Sequence, residues 1–249
     1  MAALGLNLLI FLPLLAAVAV WALPERRAGV APKLSLAVGF VTLLIAAGLF
    51  VEMPAALRGA DGGRALIGET KAEWIAVGTR SDAGGDLLSG VLLRYHVGLD
   101  AISMPLVALT GLLVPLSIWC SFAAIRTRVR EYYAWLLALT AGMFGVFAAR
   151  DVLLFYVFFE FTLVPLYFLI GIWGGPQRRY AANKFFLFTF VGSVLTFAGI
   201  MYLALRAAQI AHSDVLDFDL MRLSSLALGQ LSATEQSLLF IAFFCGFAI

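Results

Sequence analysis

The stretch that decides the fold runs from Val152 to Gln177 and reads VLLFYVFFEFTLVPLYFLIGIWGGPQ. It contains one charged residue, Glu160, and exceeds the roughly 20 apolar residues that an α-helix needs to cross a bilayer. Such a run is typical of a membrane-spanning helix. The rest of the chain agrees, because 63% of its 249 residues are hydrophobic, 13% are charged and the mean hydropathy is +0.99.

This composition excludes several classes of protein. Soluble domains are usually about 45–50% apolar and about 25% charged, so the chain is neither disordered nor an ordinary cytosolic enzyme. The net charge of +2 is too small to indicate a nucleic acid or another polyanion as a partner. The two cysteines, Cys120 and Cys245, lie in apolar runs and are too few for a disulfide framework or a zinc site.

The sequence also lacks C-x-x-C, G-x-G-x-x-G and phosphate-loop motifs. We therefore expect no metal and no cofactor on this chain, and any redox chemistry must belong to partner subunits.

Apolar runs free of charge, or nearly so, recur along the chain and predict an all-α polytopic membrane protein. The predicted helices cover residues 4–23, 34–52, 101–124, 132–149, 152–173, 184–205 and 236–249. Together they form a single membrane domain with six complete spans and a truncated seventh. A helix that stops inside hydrocarbon leaves carbonyl groups without partners, so we expect the N-terminal part of a longer protein. A re-entrant half-helix is the alternative.

Charge placement predicts the orientation of these helices. Basic residues concentrate in the loops after the first, third and fifth runs, whereas the polar loops 53–99 and 206–235 are balanced or acidic. The positive-inside bias then places the N-terminus and both long loops on the outer side. A small β-hairpin is expected around Trp74–Val77, within the first of these loops.

Glu160 is the main candidate for chemistry. An ionisable group at a helix centre costs about 2.5–3.5 kcal/mol on insertion scales and usually faces water or the bundle interior. Desolvation favours a protonated carboxyl and a nearby cation favours an ionised one, so a carboxyl between these influences can take up and release a proton. Alternatively, Glu160 is a protonated acid that only hydrogen-bonds a neighbouring helix. Pro165 is expected to kink or loosen the helix near it, with or without a mechanistic role.

Lys184 is the second candidate and lies at the inner end of the sixth run. It either extends to the lipid headgroups or turns inward and joins a polar path with Glu160. The remaining polar residues near the helix ends have structural interpretations. Asp100 is expected to cap a helix, Arg150 and Asp151 to form a turn, and His96 to be an isolated loop residue.

Five motifs together carry a family resemblance. They are FYVFFEFTLVP at 155–165, GIWGG at 171–175, RYAANKFFL at 179–187, GS at 192–193 and GLDAISMPL at 98–106. The sequence resembles subunit M of proton-pumping NADH–quinone oxidoreductase, respiratory complex I, which is called subunit 4 in mitochondria. The GIWGG and YAAxKFFL motifs fit subunit M better than its paralogues L and N.

The resemblance implies an antiporter-like helix bundle built from inverted repeats, of which this sequence covers the first helices. It also implies that Glu160 is the essential glutamate of the fifth helix and that Lys184 is the lysine of the sixth. The family's main partner for that glutamate is a lysine in a broken seventh helix, which lies beyond the sequence given. Quinone, NADH, FMN and iron–sulfur clusters are expected on partner subunits.

The sequence therefore predicts a membrane subunit of NADH–quinone oxidoreductase that forms part of a proton-translocation channel. The expected partners are the paralogous subunits L and N and the lipid bilayer, in a bacterial inner membrane or alternatively a mitochondrial one. A homologous subunit of a cation/proton antiporter or of a membrane-bound hydrogenase is an alternative. A structural helical bundle without transport is an alternative of a different class.

Overall fold

The computed structural model describes residues 1–58, 66–78, 90–213 and 215–248 of the chain. Within these residues, six helices are long and apolar enough to cross a membrane. They are α1 (Ala2–Trp21), α2 (Ala31–Arg58), α3 (Ser103–Ala124), α4 (Val129–Ala148), α5 (Val152–Trp173) and α6 (Arg178–Ile210). The prediction of an all-α membrane protein with six complete spans is therefore confirmed.

Two shorter helices, α7 (Leu220–Gln230) and α8 (Ala233–Ala248), follow the sixth span. The boundaries differ from the prediction here, because α6 extends beyond 184–205 and α7 lies inside the polar stretch 206–235, which was expected to be a loop. Hydropathy marks the part of a helix that faces hydrocarbon, whereas backbone hydrogen bonding continues into the polar ends. A span is therefore longer than its apolar run.

The polar stretch 53–99 contains the expected hairpin, which is larger than predicted. Strand β1 (Ile67–Gly78) pairs antiparallel with β2 (Gly90–Leu99), with Lys71 opposite His96. Strand β3 (Val215–Asp217) adds to β2 in parallel, so the sheet order is β1-β2-β3. We call the end of the bundle that carries this sheet the hairpin face.

Backbone hydrogen bonds join the sheet to the turn between α4 and α5. The amide of Arg150 donates to the carbonyl of His96 over 2.8 Å, and the amide of Val152 donates to Phe218 over 2.9 Å. The amide of Leu220 donates in turn to the carbonyl of Arg150 over 3.1 Å. The first residues of α5 are therefore held by β2 and by the segment that follows α6.

The opposite end of the bundle carries the basic loops, and we call it the arginine face. The guanidinium of Arg130, at the start of α4, donates to the carbonyl of Leu23 and lies 3.5 Å from a carboxyl oxygen of Glu25. The indole of Trp173, at the end of α5, donates to the carbonyl of Thr127 over 2.9 Å. Because these contacts join the three loops rich in Lys and Arg, all three loops lie at one end of the bundle.

Side chains that accept backbone hydrogen bonds determine where several helices begin. Asp151 accepts from the amides of Leu153 and Leu154 at the start of α5, and Asp219 does the same at the start of α7. At the start of α8, Ser232 and Glu235 form a reciprocal capping box. Asp100 accepts from the amide of Ser103 over 2.7 Å at the start of α3, as expected from the sequence.

Glycines on one face of α4 allow α5 to approach closely. A Cβ atom added at Gly142 would lie 2.8 Å from the Cγ2 atom of Thr162, and one added at Gly145 would overlap the ring of Phe158. Lipid tails are as apolar as leucine, so helices in membranes associate through such close packing at small residues. The α4–α5 contact therefore depends on the absence of side chains at these positions, and it holds the helix that carries Glu160.

We expect Gly145→Ala to destabilise the protein, because the new methyl group must displace the Phe158 ring. Overpacking of this kind typically costs about 1–3 kcal/mol of folding free energy. Thermal unfolding of the purified protein in one detergent measures the change.

Gly48→Ala is the matched control, because a Cβ atom at Gly48 of α2 would meet nothing within 4 Å. It should leave the unfolding temperature unchanged or slightly raised. Equal stability of the two variants would show that the close approach at Gly145 is unimportant.

Candidate functional site

Glu160 lies near the middle of α5 and is half-buried. Its Oε1 atom is buried and has no hydrogen-bond partner among the described residues. A carboxyl oxygen that is removed from water without a partner carries a substantial desolvation cost. The structure therefore places the one acid of this span away from bulk water.

Tyr156 lies near this carboxyl, one helical turn before Glu160 on α5. Its ring packs against Phe197 of α6 with centroids 4.9 Å apart, and its phenol lies near Ser193 of α6, but among the described residues no hydrogen bond joins the phenol to Glu160 or to Ser193. Ser193 is 1% exposed, and its hydroxyl donates to the carbonyl of Phe190 over 2.9 Å. The hydroxyl oxygen of Ser193 thus remains able to accept a hydrogen bond from a neighbour.

Aromatic rings pack together in the first half of α5, the half that ends near Glu160. The rings of Phe155 and Phe159 stack with centroids 6.1 Å apart, and Phe247 of α8 packs edge-on against both at 6.3 and 6.2 Å. These rings pack α8 against α5. The helix continues through Pro165 to Trp173, although proline cannot donate a backbone hydrogen bond.

Lys184 does not reach Glu160 in this structure. It is exposed on α6, and its ammonium lies 5.9 Å from the ring centroid of Tyr180 and 5.8 Å from that of Phe188. Both Lys184 and Glu160 belong to the described part of the chain, and no ion pair joins them. The side chain of Lys184 is thus exposed, and both its extension toward the headgroups and its role in a proton path stay predictions.

A second polar cluster lies at the hairpin face, where sequence reasoning found only separate turn and cap residues. Arg150 pairs with Asp100 over 2.9 Å, which links the end of α4 to the start of α3. Asp217 of β3 accepts from Arg94 of β2 over 2.6 Å and from Arg222 of α7 over 2.8 Å. Opposite charges on β2, β3, α3, α4 and α7 therefore hold this end of the bundle together.

His96 is part of this cluster, and its interpretation as an isolated loop residue is wrong. It lies in β2, its side chain is 6% exposed, and its Nε2 atom is 2.9 Å from a carboxyl oxygen of Glu69. Its Nδ1 atom is 3.3 Å from Asp219. The spacing in sequence could not show this, because the partners come from β1 and from the start of α7.

The acids of this cluster differ in their proton affinity. Burial raises the pKa of Asp151, although bonds from the amides of Leu154 and Leu153 lower it, and the charges of Asp217 and Asp219 raise it further. Burial also raises the pKa of Asp217, but hydrogen bonds from Arg94 and Arg222 outweigh it, so the net pKa is lowered. Asp151 therefore retains a proton to higher pH than Asp217.

A cavity of about 350 Å³ lies beside Asp151, between α5, α6, α7 and α8. Thr196 and Phe247 also line it, and most of its wall is hydrocarbon. The Oδ2 atom of Asp151 is buried and has no partner among the described residues. Within those residues, no group of three His, Cys, Asp or Glu side chains could hold a metal ion.

Residues 149–249, which include the last two of the six spans, α5 and α6, match the family model described as NADH:quinone oxidoreductase/Mrp antiporter, TM. The chain is 46% identical over 159 residues to NADH-quinone oxidoreductase subunit M of Rhodobacter capsulatus. That alignment covers 63% of this chain and 31% of the relative. Over these residues the chain is similar to antiporter-like membrane subunits.

Two further comparisons extend the similarity over nearly the whole chain. NADH-ubiquinone oxidoreductase chain 4 of Prototheca wickerhamii is 32% identical over 250 residues, which cover 98% of this chain and 44% of the relative. A chain in the structure of respiratory complex I from Thermus thermophilus with bound NADH has a TM-score of 0.71 and 26% identity, and the match covers 100% of this chain and 43% of that one. The resemblance to subunit M is confirmed.

The chain spans less than half the length of these antiporter-like relatives. The family match includes Asp151, Glu160, Lys184 and Ser193. Sequence reasoning missed Tyr156, although helical spacing could have indicated it, because it lies one turn before Glu160. The proximity of Tyr156 to Ser193 could not have been found in this way, because it depends on how α5 and α6 pack.

We expect Asp217→Asn to lower the free energy of unfolding by about 1.5–3 kcal/mol near neutral pH, the usual value of hydrogen bonds to charged groups. The native pKa of Asp217 is lowered, so its stabilisation is present above the unfolded value of about 3.9 and is lost as the pH falls through the native pKa. The difference between the two proteins should therefore shrink below pH of about 4. Thermal unfolding across this pH range measures it.

Glu25→Gln is the control, because the Glu25 side chain is 91% exposed and pairs with Arg130 over 3.5 Å. An exposed pair is worth about 0–1 kcal/mol, so this variant should show little change. A loss in Asp217→Asn no larger than that of the control would contradict the role given to Asp217.

Proposed function

We propose that this chain is part of the subunit M of a proton-translocating NADH–quinone oxidoreductase and contributes a proton half-channel to its membrane region. The observation that carries the proposal is the buried, unpartnered carboxyl oxygen of Glu160 in the part of the chain that matches the family. Retaining an acid there against its desolvation cost indicates a function that needs a proton carrier.

Glu160 is proposed to exchange a proton with an internal hydrated path. Approach of a lysine ammonium favours the ionised carboxylate and releases the proton, and withdrawal of the ammonium favours the protonated acid. Tyr156 supports this role, because its hydroxyl lies near the carboxyl and near Ser193, so the two hydroxyl groups extend a polar route from Glu160 toward α6. The family resemblance implies that a lysine of a broken seventh helix supplies the charge, with Lys184 as a second basic group on the path.

The energy for this movement is proposed to come from partner subunits. Oxidation of NADH and reduction of quinone would take place there, with the FMN and iron–sulfur clusters that those subunits hold. The neighbours in the membrane would be the paralogous subunits L and N. We place the assembly in a bacterial inner membrane, with the N-terminus and the hairpin face outside and the arginine face inside, as the distribution of basic loops favours.

A cation/proton antiporter subunit is the second candidate, because the family model includes Mrp antiporters as well as NADH:quinone oxidoreductases. The helix bundle serves both, so a fold match does not separate them. Identity of up to 46% to relatives named subunit M favours the oxidoreductase. Co-purification of the natural protein with NADH-oxidising, iron–sulfur subunits tests this choice directly.

We expect Glu160→Gln in the full-length subunit, within the assembled oxidoreductase, to abolish proton pumping through this subunit, because the amide keeps the shape of the side chain but cannot bind and release a proton. The measurement is the pH change in reconstituted vesicles per NADH oxidised. Pumping at the wild-type stoichiometry would rule out an essential carboxylate and favour the structural bundle.

Glu52→Gln serves as the matched control, because Glu52 is an exposed acid on α2 outside this site. It should pump normally. Unfolding temperatures of both variants separate a loss of function from a loss of stability.

A further inference from the structure

The arginine face contains a cavity that the proposed proton path does not use. Its volume is about 490 Å³, within the range of about 300–1,000 Å³ that is usual for small-molecule sites. Side chains from α1, α4, α5 and α6 form its walls, together with Arg128 at the start of α4. We call it the arginine-face crevice and define it by Trp21, Arg128, Trp135, Tyr167, Phe168 and Arg179.

The polar end of the crevice has an excess of positive charge. Arg128 is paired with Glu131, which also lines the crevice, through two hydrogen bonds. Arg179 is exposed near the start of α6, and none of the residues that the structure describes pairs with its guanidinium. One cation is therefore available at the mouth of the crevice, and an anion is the ligand that it favours.

Aromatic rings form the wall of the crevice below this charge. The indole of Trp135 stacks on the ring of Phe168 with centroids 4.6 Å apart, and Trp21 packs edge-on against Trp135 at 5.2 Å. Tryptophan and tyrosine are enriched at the depth of the lipid headgroups, where one part of the ring is dry and another is wet. This wall therefore lies at the level of a headgroup.

An apolar groove continues from the crevice toward the middle of the membrane. Its volume is about 280 Å³, and Tyr167, Asn183, Phe186 and Leu187 line it. Tyr167 and Asn183 line the crevice as well, and the Tyr167 hydroxyl donates to the Asn183 Oδ1 atom over 3.1 Å. Arg179, Asn183 and Phe186 follow one another along one face of α6, so polarity falls steadily from the mouth inward.

We propose that the arginine-face crevice and this groove bind one anionic phospholipid. The phosphate of the lipid would pair with Arg179, the glycerol region would contact Trp135 and Tyr167, and an acyl chain would lie along Phe186 and Leu187. An amphiphile matches this order of surfaces, with a charged head beside a basic pocket between transmembrane helices and a tail in hydrocarbon. A soluble anion lacks an apolar part that could pack against the groove. An acidic peptide would have to bury polar backbone groups to follow the groove into the membrane.

The site holds α5 and α6 against α1 and α4 on the arginine face. Bound lipid would therefore stabilise the helix pair that carries Glu160 and Lys184, since a ligand that binds only the folded state adds to its stability. The inference does not depend on proton pumping, because lipid retention and unfolding temperature can be measured without turnover.

The test measures binding of phosphatidylglycerol to the full-length protein, purified and stripped of lipid, by native mass spectrometry and by the rise in unfolding temperature. One lipid should bind at this site more tightly than phosphatidylcholine does. Each basic charge near a membrane is worth about 1 kcal/mol, so Arg179→Gln should weaken phosphatidylglycerol binding about fivefold and Arg179→Glu about 25-fold. Arg179→Lys should retain most of the affinity.

Arg126→Gln is the matched control, because Arg126 is an exposed arginine of the same face that does not line the crevice. It should leave the affinity unchanged. An equal loss in both variants would show attraction by general surface charge and would overturn the proposal. Equal binding of phosphatidylcholine would do the same.

Phe186→Ala tests the groove separately from the charge. It should weaken binding of long-chain phosphatidylglycerol and leave that of the dihexanoyl form unchanged, since the short chains do not reach Phe186. Full competition by millimolar inorganic phosphate would identify a simple anion site and would overturn the assignment to a lipid. Unfolding temperatures measured in phosphatidylcholine confirm that each variant is folded.

Discussion

The structure depends on one constraint, namely that hydrocarbon offers no water to a charge or to an unpaired backbone group. The chain meets it with long helices and by keeping nearly all charges at the two ends of the bundle. Glu160 is the exception in α5, where its Oε1 atom is buried without a partner among the described residues and Tyr156 lies one helical turn away. An acid in such a position is costly, which is why it stands out among the residues of the spans.

The two ends of the bundle satisfy the same constraint by different means. At the hairpin face, ion pairs and backbone bonds from β2 and from the segment that follows α6 hold the ends of α3, α4 and α5. At the arginine face, loops are joined by few contacts, and Arg179 is left with an unneutralised charge. The first end is therefore a rigid cap, whereas the second leaves room for a headgroup.

These arrangements meet at α5 and α6. Asp151 at one end of α5 and the arginine-face crevice at the other end both lie on the helix that carries Glu160. On one side of α5, the glycines of α4 allow a close approach. On the other side, Ser193 of α6 faces α5, and Thr196 of α6 faces α8. The position of the carboxyl is thus set by contacts along the whole length of one helix pair.

The sequence by itself determined the fold class, the six spans, the helix caps at Asp100 and the identity of Glu160 as the acid within a span. Each of these follows from local properties, which are the length of an apolar run, the residue before a helix and the cost of a charge in oil. Only the tertiary structure decided which groups meet. It paired His96 with Glu69 and Asp219, placed Tyr156 beside Ser193, directed Lys184 outward and opened a crevice at Arg179. These contacts join residues that are far apart in the chain. They depend on the rotation of each helix about its axis, and an apolar run does not specify that rotation.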